Sequence, residues 1–296
     1  MNKFRGLGVA MVTPFKEDKS IDEAALRKLT NFLIDNGVHY LVVQGTTGES
    51  PTLDNKEKQQ TLDIVADENK GRLPIVFGIG GNNTKVVCDA FSKFDLTKVD
   101  AILSASPYYN KPTQEGIYQH YAAMSKASPK PIILYNVPGR TSSNLTAETT
   151  LRLANDFDNI IGVKEASGNM EQITKIIKDK PKDFLVTSGD DPIAMPLIAS
   201  GCDGVISVIG NGFPKEFSNM VNAGLENNHE LALKYHFLTF DMIPLLFAEG
   251  NPAGIKEVLK FKGICENHVR LPLVPVSNEL ANKIIAESGN IAGNEA

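Results

Sequence analysis

A single lysine ends an otherwise apolar run in this sequence. The run Ile160-Ile161-Gly162-Val163-Lys164 has the composition of a buried β-strand. Burial disfavours the charged form of an amine, and a neutral amine can attack a carbonyl carbon. From this run alone, a lysine whose side chain extends past the strand end into solvent is equally compatible. Lys164 is therefore a candidate nucleophile for Schiff-base chemistry.

A tyrosine stands at the end of a second apolar run. Ile132-Ile133-Leu134-Tyr135-Asn136 places Tyr135 at a strand end in the same way that the other run places Lys164. A phenol in that position can carry protons to and from the carbinolamine that precedes an imine. The alternative is an aromatic residue at the rim whose hydroxyl is simply hydrogen-bonded.

Two loops carry groups that could bind a carboxylate. In Gly45-Thr46-Thr47-Gly48-Glu49-Ser50, two glycines permit sharp turns and two hydroxyls lie beside backbone amides. Arg140 follows Tyr135 closely, and a guanidinium can bind a carboxylate through two hydrogen bonds. A plain connecting turn and a solvated arginine are the alternatives.

Signals for a metal, a dinucleotide or a disulfide framework are absent from the sequence. The five histidines are scattered and no HExxH occurs, so we predict no metal. The glycines of 78–82 lack the third glycine of a dinucleotide fingerprint, because Asn83 stands there. The three cysteines are odd in number and far apart, which favours a reducing cytoplasm over a disulfide-stabilised fold.

The candidate residues depend on elements that recur along the chain. Short β-rich runs alternate with amphipathic helical patterns, which predicts a parallel sheet, and eight such units predict an α/β fold closed into a (β/α)8 TIM barrel. The predicted strands are residues 7–12, 39–44, 74–79, 100–105, 131–136, 160–164, 184–188 and 203–208. Catalytic side chains of such barrels gather at the carboxyl ends of the strands, so we expect Lys164 and Tyr135 at one mouth.

The pattern changes after residue 226. Residues 228–248, 252–263 and 277–288 have helical patterns, and no further strand follows. We therefore predict a barrel catalytic domain over 1–226 and a C-terminal helical domain over 227–296 that packs beside the barrel. Residues 289–296 are polar enough that we expect them to fray.

Composition excludes several classes of partner. The net charge is −5, and the basic residues are dispersed, so no basic stripe for nucleic acid is expected. No stretch approaches about 18 consecutive apolar residues, so we expect no membrane-spanning helix.

Five motifs together resemble the dihydrodipicolinate synthase family of the class I aldolase superfamily, which also contains N-acetylneuraminate lyase. They are GTTGES at 45–50, SPYYNKPTQEG at 106–116, YNVPGRT at 135–141, GVKEASG at 162–168 and SGDD at 188–191. The resemblance runs from about Gly6 to Ser277. It implies an enzyme of lysine and diaminopimelate biosynthesis that condenses pyruvate with L-aspartate 4-semialdehyde through an imine on Lys164. The protonated imine would act as the electron sink, so no external cofactor is implied.

The resemblance also implies roles for other residues. Tyr135, Thr46 and Tyr109 match the family's proton relay, and Thr47 matches the position that holds the pyruvate carboxylate. Arg140 would bind the carboxylate of the second substrate, and the pocket floor would include Gly189 and Ile206. In the family, the tyrosine at the position of Tyr109 comes from a neighbouring subunit, so a homotetramer built from two tight dimers is expected.

Two alternatives to this function remain open. One is a pyruvate-dependent aldolase that cleaves N-acetylneuraminate or a 2-keto-3-deoxy sugar acid, and the other is a noncatalytic barrel that binds a keto acid. Arg140 favours the synthase, because the sialic acid lyases lack an arginine in a PGRT-type loop. The presence of Lys164 and Tyr135 argues against the noncatalytic barrel.

One departure from the family concerns regulation. Lysine-inhibited members bind lysine with two histidines and a glutamate, whereas the corresponding positions here are Asn55, Lys58 and Val86. Val86 cannot accept a hydrogen bond from an ammonium group, and Lys58 adds a like charge. Ser50, Asn82 and Tyr108 are retained. We therefore expect weak or absent inhibition by lysine.

Overall fold

The chain folds into a closed barrel of eight parallel strands, as a computed structural model that describes residues 2–293 shows. Each strand pairs with the next in chain order, and the last pairs with the first. The strands are β1 Gly6–Ala10, β2 Tyr40–Val43, β3 Ile75–Gly78, β4 Ala101–Ala105, β5 Ile132–Asn136, β6 Ile160–Glu165, β7 Leu185–Ser188 and β8 Gly204–Ser207. The predicted (β/α)8 barrel is confirmed.

Helices surround the barrel and continue beyond its last strand. They are α1 Glu23–Asp35, α2 Asn55–Asn69, α3 Thr84–Ala90, α4 Gln114–Ala127, α5 Pro138–Thr141, α6 Ala147–Asp156, α7 Met170–Asp179, α8 Ala194–Ala199, α9 Pro214–Leu225, α10 His229–Phe240, α11 Met242–Phe247, α12 Ala253–Phe261 and α13 Asn278–Gly293. Short 3-10 turns are Asn2–Phe4, Thr46–Gly48, Ser50–Thr52, Asp191–Ile193 and Ile209–Asn211.

The strands are apolar throughout because both of their faces are buried. In β2, Leu41 packs in the layer between barrel and helices, whereas Tyr40 and Val42 fill the barrel interior. In β5, Ile133 and Tyr135 likewise belong to the interior cluster. Alternation along a strand therefore decides which side chains reach the interior and its mouth.

Side-chain caps begin several helices. Asp22 accepts a hydrogen bond from the amide of Ala25 and starts α1. Thr146 caps α6 by accepting a hydrogen bond from the amide of Thr149. These caps satisfy amides that the first helical turn leaves unpaired.

The C-terminal prediction needs three corrections. The helix predicted over 228–248 is two helices, α10 and α11, which Asp241 separates. The helix predicted to end at residue 288 continues to Gly293, because Ile291 is buried in the core, so residues 289–293 do not fray. Residues 294–296 lie outside the described chain. The C-terminal segment, residues 227–293, also contributes to the cavity at the mouth of the barrel, since Asn251 and Leu273 line that cavity.

No helix among residues 2–293 is long and apolar enough to cross a membrane. The division into domains at residues 226 and 227 stays a prediction. It falls between α9 and α10, which pack closely against each other.

His120 on α4 is expected to make the fold sensitive to acid. Its ring is buried, Nδ1 lies 2.9 Å from the Thr84 hydroxyl, and Nε2 has no hydrogen-bond partner within the described chain. Burial lowers the pKa of His120 from 6.5 to about 4. The folded-state pKa is thus below the unfolded-state value, so stability is lost as the pH falls below about 6.5.

When the pH falls from 7 to 5, protonation linked to His120 should lower the unfolding free energy of the wild type by about 2 kcal/mol. Urea unfolding of the wild type and of His120→Gln at both pH values measures the cost. The variant should lose less stability than the wild type over this interval. Equal losses for the two proteins would contradict the prediction.

Candidate active site

Lys164 and Tyr135 are neighbours at the carboxyl ends of adjacent strands. They are paired in the register of β5 and β6, and Lys164 Nζ lies 4.3 Å from the centre of the Tyr135 ring. Lys164 is 5 % exposed, so its side chain does not extend into solvent. The amine therefore lies beside a phenol in a buried position.

Gly189 provides the space that the lysine side chain occupies. A Cβ at this position would lie 2.8 Å from Lys164 Cε and 2.7 Å from Ala166 Cβ. Such contacts are too short for carbon atoms, so a larger residue would displace the lysine. Gly189 thus packs directly beside the lysine side chain, and its place at the floor of the pocket stays a prediction.

Gly189→Ala is expected to lower kcat about 100-fold, because a displacement of about 1 Å at a reacting group has a cost of this order. Steady-state kinetics and thermal unfolding of the purified variant test this expectation. The matched control is Gly289→Ala, since a Cβ at that exposed helical glycine meets nothing within 4 Å. Activity of Gly189→Ala within about twofold of the control would show that the lysine tolerates the added carbon.

A cavity of about 480 Å³ opens at the mouth of the barrel. Three of the predicted site residues line it, namely Thr46, Tyr135 and Arg140. Lys164, Thr47 and Ile206 are 5 %, 2 % and 1 % exposed, and neither they nor Gly189 are among the lining residues. The rest of the wall includes Gln44, Ser50, Lys58, Gly78–Gly81, Leu103, Tyr108, Val137, Asn251, Pro272 and Leu273.

The Gly45–Ser50 loop is held by contacts from two directions. Thr13 donates its hydroxyl hydrogen bond to the Gly48 carbonyl at 2.7 Å. Asn251 Nδ2 donates to Thr47 Oγ1 at 3.1 Å. Asn251 Oδ1 is buried and has no partner among the described residues. Asn251 could not be predicted as a site residue, because it lies in a segment predicted only to pack beside the barrel and has no motif of its own.

Arg140 lies at the exposed rim of the cavity. It belongs to the short helix α5, directly after β5. Within the part of the chain that the structure describes, its guanidinium makes no hydrogen bond or ion pair. A planar donor without a partner at the entrance suits an incoming carboxylate.

Tyr109 is far more exposed than the other candidate residues. Its exposed fraction is 87 %, and its backbone has a left-handed φ of +75°. It does not line the cavity of its own chain. The structure of one chain therefore does not bring Tyr109 to Lys164.

The outer faces of β5 and β6 are joined by a buried polar network. Asn136 Nδ2 donates to both carboxylate oxygens of Glu165, at 3.0 and 3.1 Å, and Gln172 Nε2 donates to the same carboxylate at 2.9 Å. Burial raises the pKa of Glu165 against the opposing effect of these hydrogen bonds. Because side chains alternate along a strand, Glu165 points away from the side of β6 that carries Lys164. The network fixes the strand ends next to the lysine and the tyrosine.

Asp191 is a buried carboxylate that the sequence analysis quoted only as part of SGDD. One oxygen, Oδ2, accepts from the amides of Val208 and Ile209 at 2.9 Å, and Oδ1 has no partner in the described part of the chain. Burial raises the pKa of Asp191 to about 6, and the hydrogen bonds from the amides of Ile209 and Val208 partly oppose the shift. Asp191 thus anchors the turn after β8.

A second cavity, of about 270 Å³, adjoins the first. Its wall contains all six positions that the sequence analysis compared with lysine-inhibited relatives. They are Ser50, Asn55, Lys58, Asn82, Val86 and Tyr108. Ser50, Lys58 and Tyr108 are shared with the cavity at the barrel mouth.

The geometry suits nucleophilic chemistry on a carbonyl. A buried amine lies beside a phenol, threonine hydroxyls lie near the mouth, and a cationic side chain stands at the rim. In residues 2–293, no three His, Cys, Asp or Glu side chains are grouped as metal ligands would be.

Comparisons with known proteins agree on one family. Residues 3–287 match the model of the dihydrodipicolinate synthetase family. A 4-hydroxy-tetrahydrodipicolinate synthase of Flavobacterium psychrophilum is 55 % identical over 284 residues, which cover 96 % of this chain and 97 % of that protein.

Two solved structures are similar over nearly the whole chain. The chloride-inhibited dihydrodipicolinate synthase of Acinetobacter baumannii, complexed with pyruvate, is 35 % identical with a TM-score of 0.94, covering 97 % of this chain and 99 % of that one. A structure described as the first monomeric dihydrodipicolinate synthase variant is 38 % identical with a TM-score of 0.93, covering 97 % of both chains.

Proposed function

The chain belongs to the dihydrodipicolinate synthetase family and acts as a 4-hydroxy-tetrahydrodipicolinate synthase, and we propose that its reaction proceeds through an imine between Lys164 and pyruvate. One observation carries this proposal: the only polar group that β6 presents to the barrel interior is a buried amine, 4.3 Å from the ring centre of Tyr135. The substrates are pyruvate and L-aspartate 4-semialdehyde.

The proposed reaction begins with attack of Lys164 Nζ on the carbonyl carbon of pyruvate. The carbinolamine loses water to give the imine, and loss of a methyl proton then gives an enamine. Tyr135 and Thr46 move these protons, which their positions at the cavity support. The enamine carbon adds to the aldehyde of the second substrate, whose amine then displaces Lys164 by transimination and closes the ring.

Substrate carboxylates are assigned to the loop and to the rim. Thr47 holds the pyruvate carboxylate with the turn Thr46–Gly48 around it. Arg140 binds the carboxylate of L-aspartate 4-semialdehyde, since its guanidinium lies at the entrance and has no hydrogen-bond or ion-pair partner among residues 2–293. Gly189 and Ile206 complete the floor near Lys164. The protonated imine is the electron sink, so the proposal includes no external cofactor and no metal.

We also propose that the enzyme works as a cytoplasmic homotetramer, a dimer of two tight dimers. Tyr109 supports this, because it is 87 % exposed and does not line the cavity of its own chain, as expected of a relay tyrosine that serves another copy. The related monomeric variant means that the assembly must be measured for this chain. Light scattering of the purified protein, together with the activity of Tyr109→Phe, tests the proposal.

Turnover of pyruvate with L-aspartate 4-semialdehyde, coupled to NADPH-dependent reduction of the product, tests the proposed function. N-acetylneuraminate and 2-keto-3-deoxy sugar acids serve as competing substrates in parallel assays. We expect turnover with the semialdehyde and none with the sugar acids. Cleavage of a sugar acid without synthase turnover would instead indicate the aldolase alternative.

Lysine is expected to inhibit the enzyme weakly or not at all. The second cavity has Val86 where an ammonium needs an acceptor, and Lys58 has no ion-pair partner in the described chain to neutralise its charge. Synthase assays over a range of lysine concentrations measure the effect. Half-inhibition at sub-millimolar lysine would contradict the expectation.

A further inference from the structure

The carboxylate of Glu49 connects the Gly45–Ser50 loop to two parts of the C-terminal segment, residues 227–293. Lys256 Nζ, on α12, lies 2.6 Å from Glu49 Oε1, and both side chains are fully buried. The same ammonium donates to the His268 carbonyl at 2.7 Å. The second oxygen, Glu49 Oε2, accepts from the backbone amide of Arg270 at 2.9 Å.

Stability alone does not account for such a pair. Two charges removed from water need close mutual pairing, and apolar side chains of similar volume are often at least as stabilising. The pair instead holds the backbone of the Gly45–Ser50 loop in a fixed conformation. Glu49 has a left-handed φ of +54°, which a residue with a Cβ adopts only when surrounding contacts hold it.

The position of the loop matters because of the residues it carries. Glu49 lies two residues after Thr47, whose hydroxyl accepts from Asn251. Asn251 immediately precedes the turn into α12, which carries Lys256. A movement of α12 would therefore shift both the partner of Thr47 and the partner of Glu49.

We infer that the Glu49–Lys256 ion pair positions the hydroxyls of Thr46 and Thr47 for the reaction at Lys164. The inference rests on the proposed roles of the two threonines. Glu49 lies in the wall of the cavity, but both of its carboxylate oxygens bind Lys256 and the Arg270 amide, and both charged side chains are fully buried. They are positioning residues, and they make the C-terminal segment part of the catalytic machinery.

The test is the double variant Glu49→Gln/Lys256→Met, which keeps side-chain volume and leaves no unpaired buried charge. Trapping of pyruvate with borohydride counts the sites that form the imine, so kcat can be expressed per competent site. We expect kcat per competent site to fall about tenfold and KM for pyruvate to rise, because the hydroxyls lose their alignment. In each single variant, kcat per competent site should fall about as far as in the double variant, since each substitution removes the same ion pair.

Lys180→Met is the matched control. Lys180 pairs with Asp203 at 3.2 Å and is also largely buried, but the pair precedes β7 and β8 at the opposite end of the barrel. This variant should change thermal stability without changing kcat per competent site.

A lowered melting temperature of the double variant, with kcat per competent site within about twofold of wild type, would overturn the inference and leave a purely structural pair. If the double variant does not fold, Glu49→Asp carries the same test, because it keeps both buried charges but withdraws the carboxylate by one methylene group from Lys256 and the Arg270 amide. A wild-type protein that traps no pyruvate would overturn the proposed function instead, so the two failures are distinguishable.

Discussion

Lys164→Met is expected to lower kcat/KM by at least about 1,000-fold, since it removes the nucleophile on which the covalent route depends. Methionine retains most of the apolar stem that packs beside Gly189 and Tyr135, so the fold should persist. Coupled synthase kinetics and circular dichroism of the purified variant measure both effects.

Lys175→Met provides the control for loss of a lysine. Lys175 forms an exposed ion pair with Glu148 on the outside of the barrel, and such pairs contribute little to stability. The activity of Lys175→Met should equal that of the wild type. A folded Lys164→Met that retains more than about a tenth of wild-type activity would contradict the covalent mechanism.

Tyr135→Phe is expected to lower kcat by about 100-fold to 10,000-fold, the range by which positioned acid–base groups accelerate reactions. The phenol is the ionisable group whose ring lies against the amine, so its loss removes proton transfer while the packing of the ring persists. KM for pyruvate should change less than kcat, because the carboxylate contacts are assigned to other residues. Steady-state kinetics with both substrates measure the two constants.

Tyr40→Phe is a matched control inside the same barrel. Tyr40 belongs to the same interior cluster as Tyr135, but its buried hydroxyl has no partner among the described residues. Removing that hydroxyl should leave kcat unchanged and stability unchanged or higher. Equal activity losses in the two variants would indicate that any tyrosine lost from the interior disturbs the barrel, and would argue against a relay role for Tyr135.

Much of the fold could be predicted because a parallel barrel buries both faces of each strand. Such strands are short apolar runs, as in β6, and the eight runs in order predicted the closed sheet. The ends of the runs also placed Lys164 and Tyr135 at one mouth, since all strands of a parallel barrel point the same way.

The contributions of the C-terminal segment could not be predicted. Asn251 and Lys256 are separated by about 200 residues from the loop they hold, and helical periodicity gives no information on such distant pairing. Lys256 is fully buried because Glu49 is its partner, and neither residue alone carries a signal of burial. The extension of α13 to Gly293 was likewise missed, since local polarity outweighed the single buried Ile291.

The most direct test of the account is mass spectrometry of the protein after incubation with pyruvate and borohydride. A Schiff-base mechanism predicts one reduced pyruvate adduct per chain, located on the peptide that contains Lys164 and absent from Lys164→Met. Unmodified protein, or an adduct on another lysine, would contradict the assignment of Lys164 as the nucleophile.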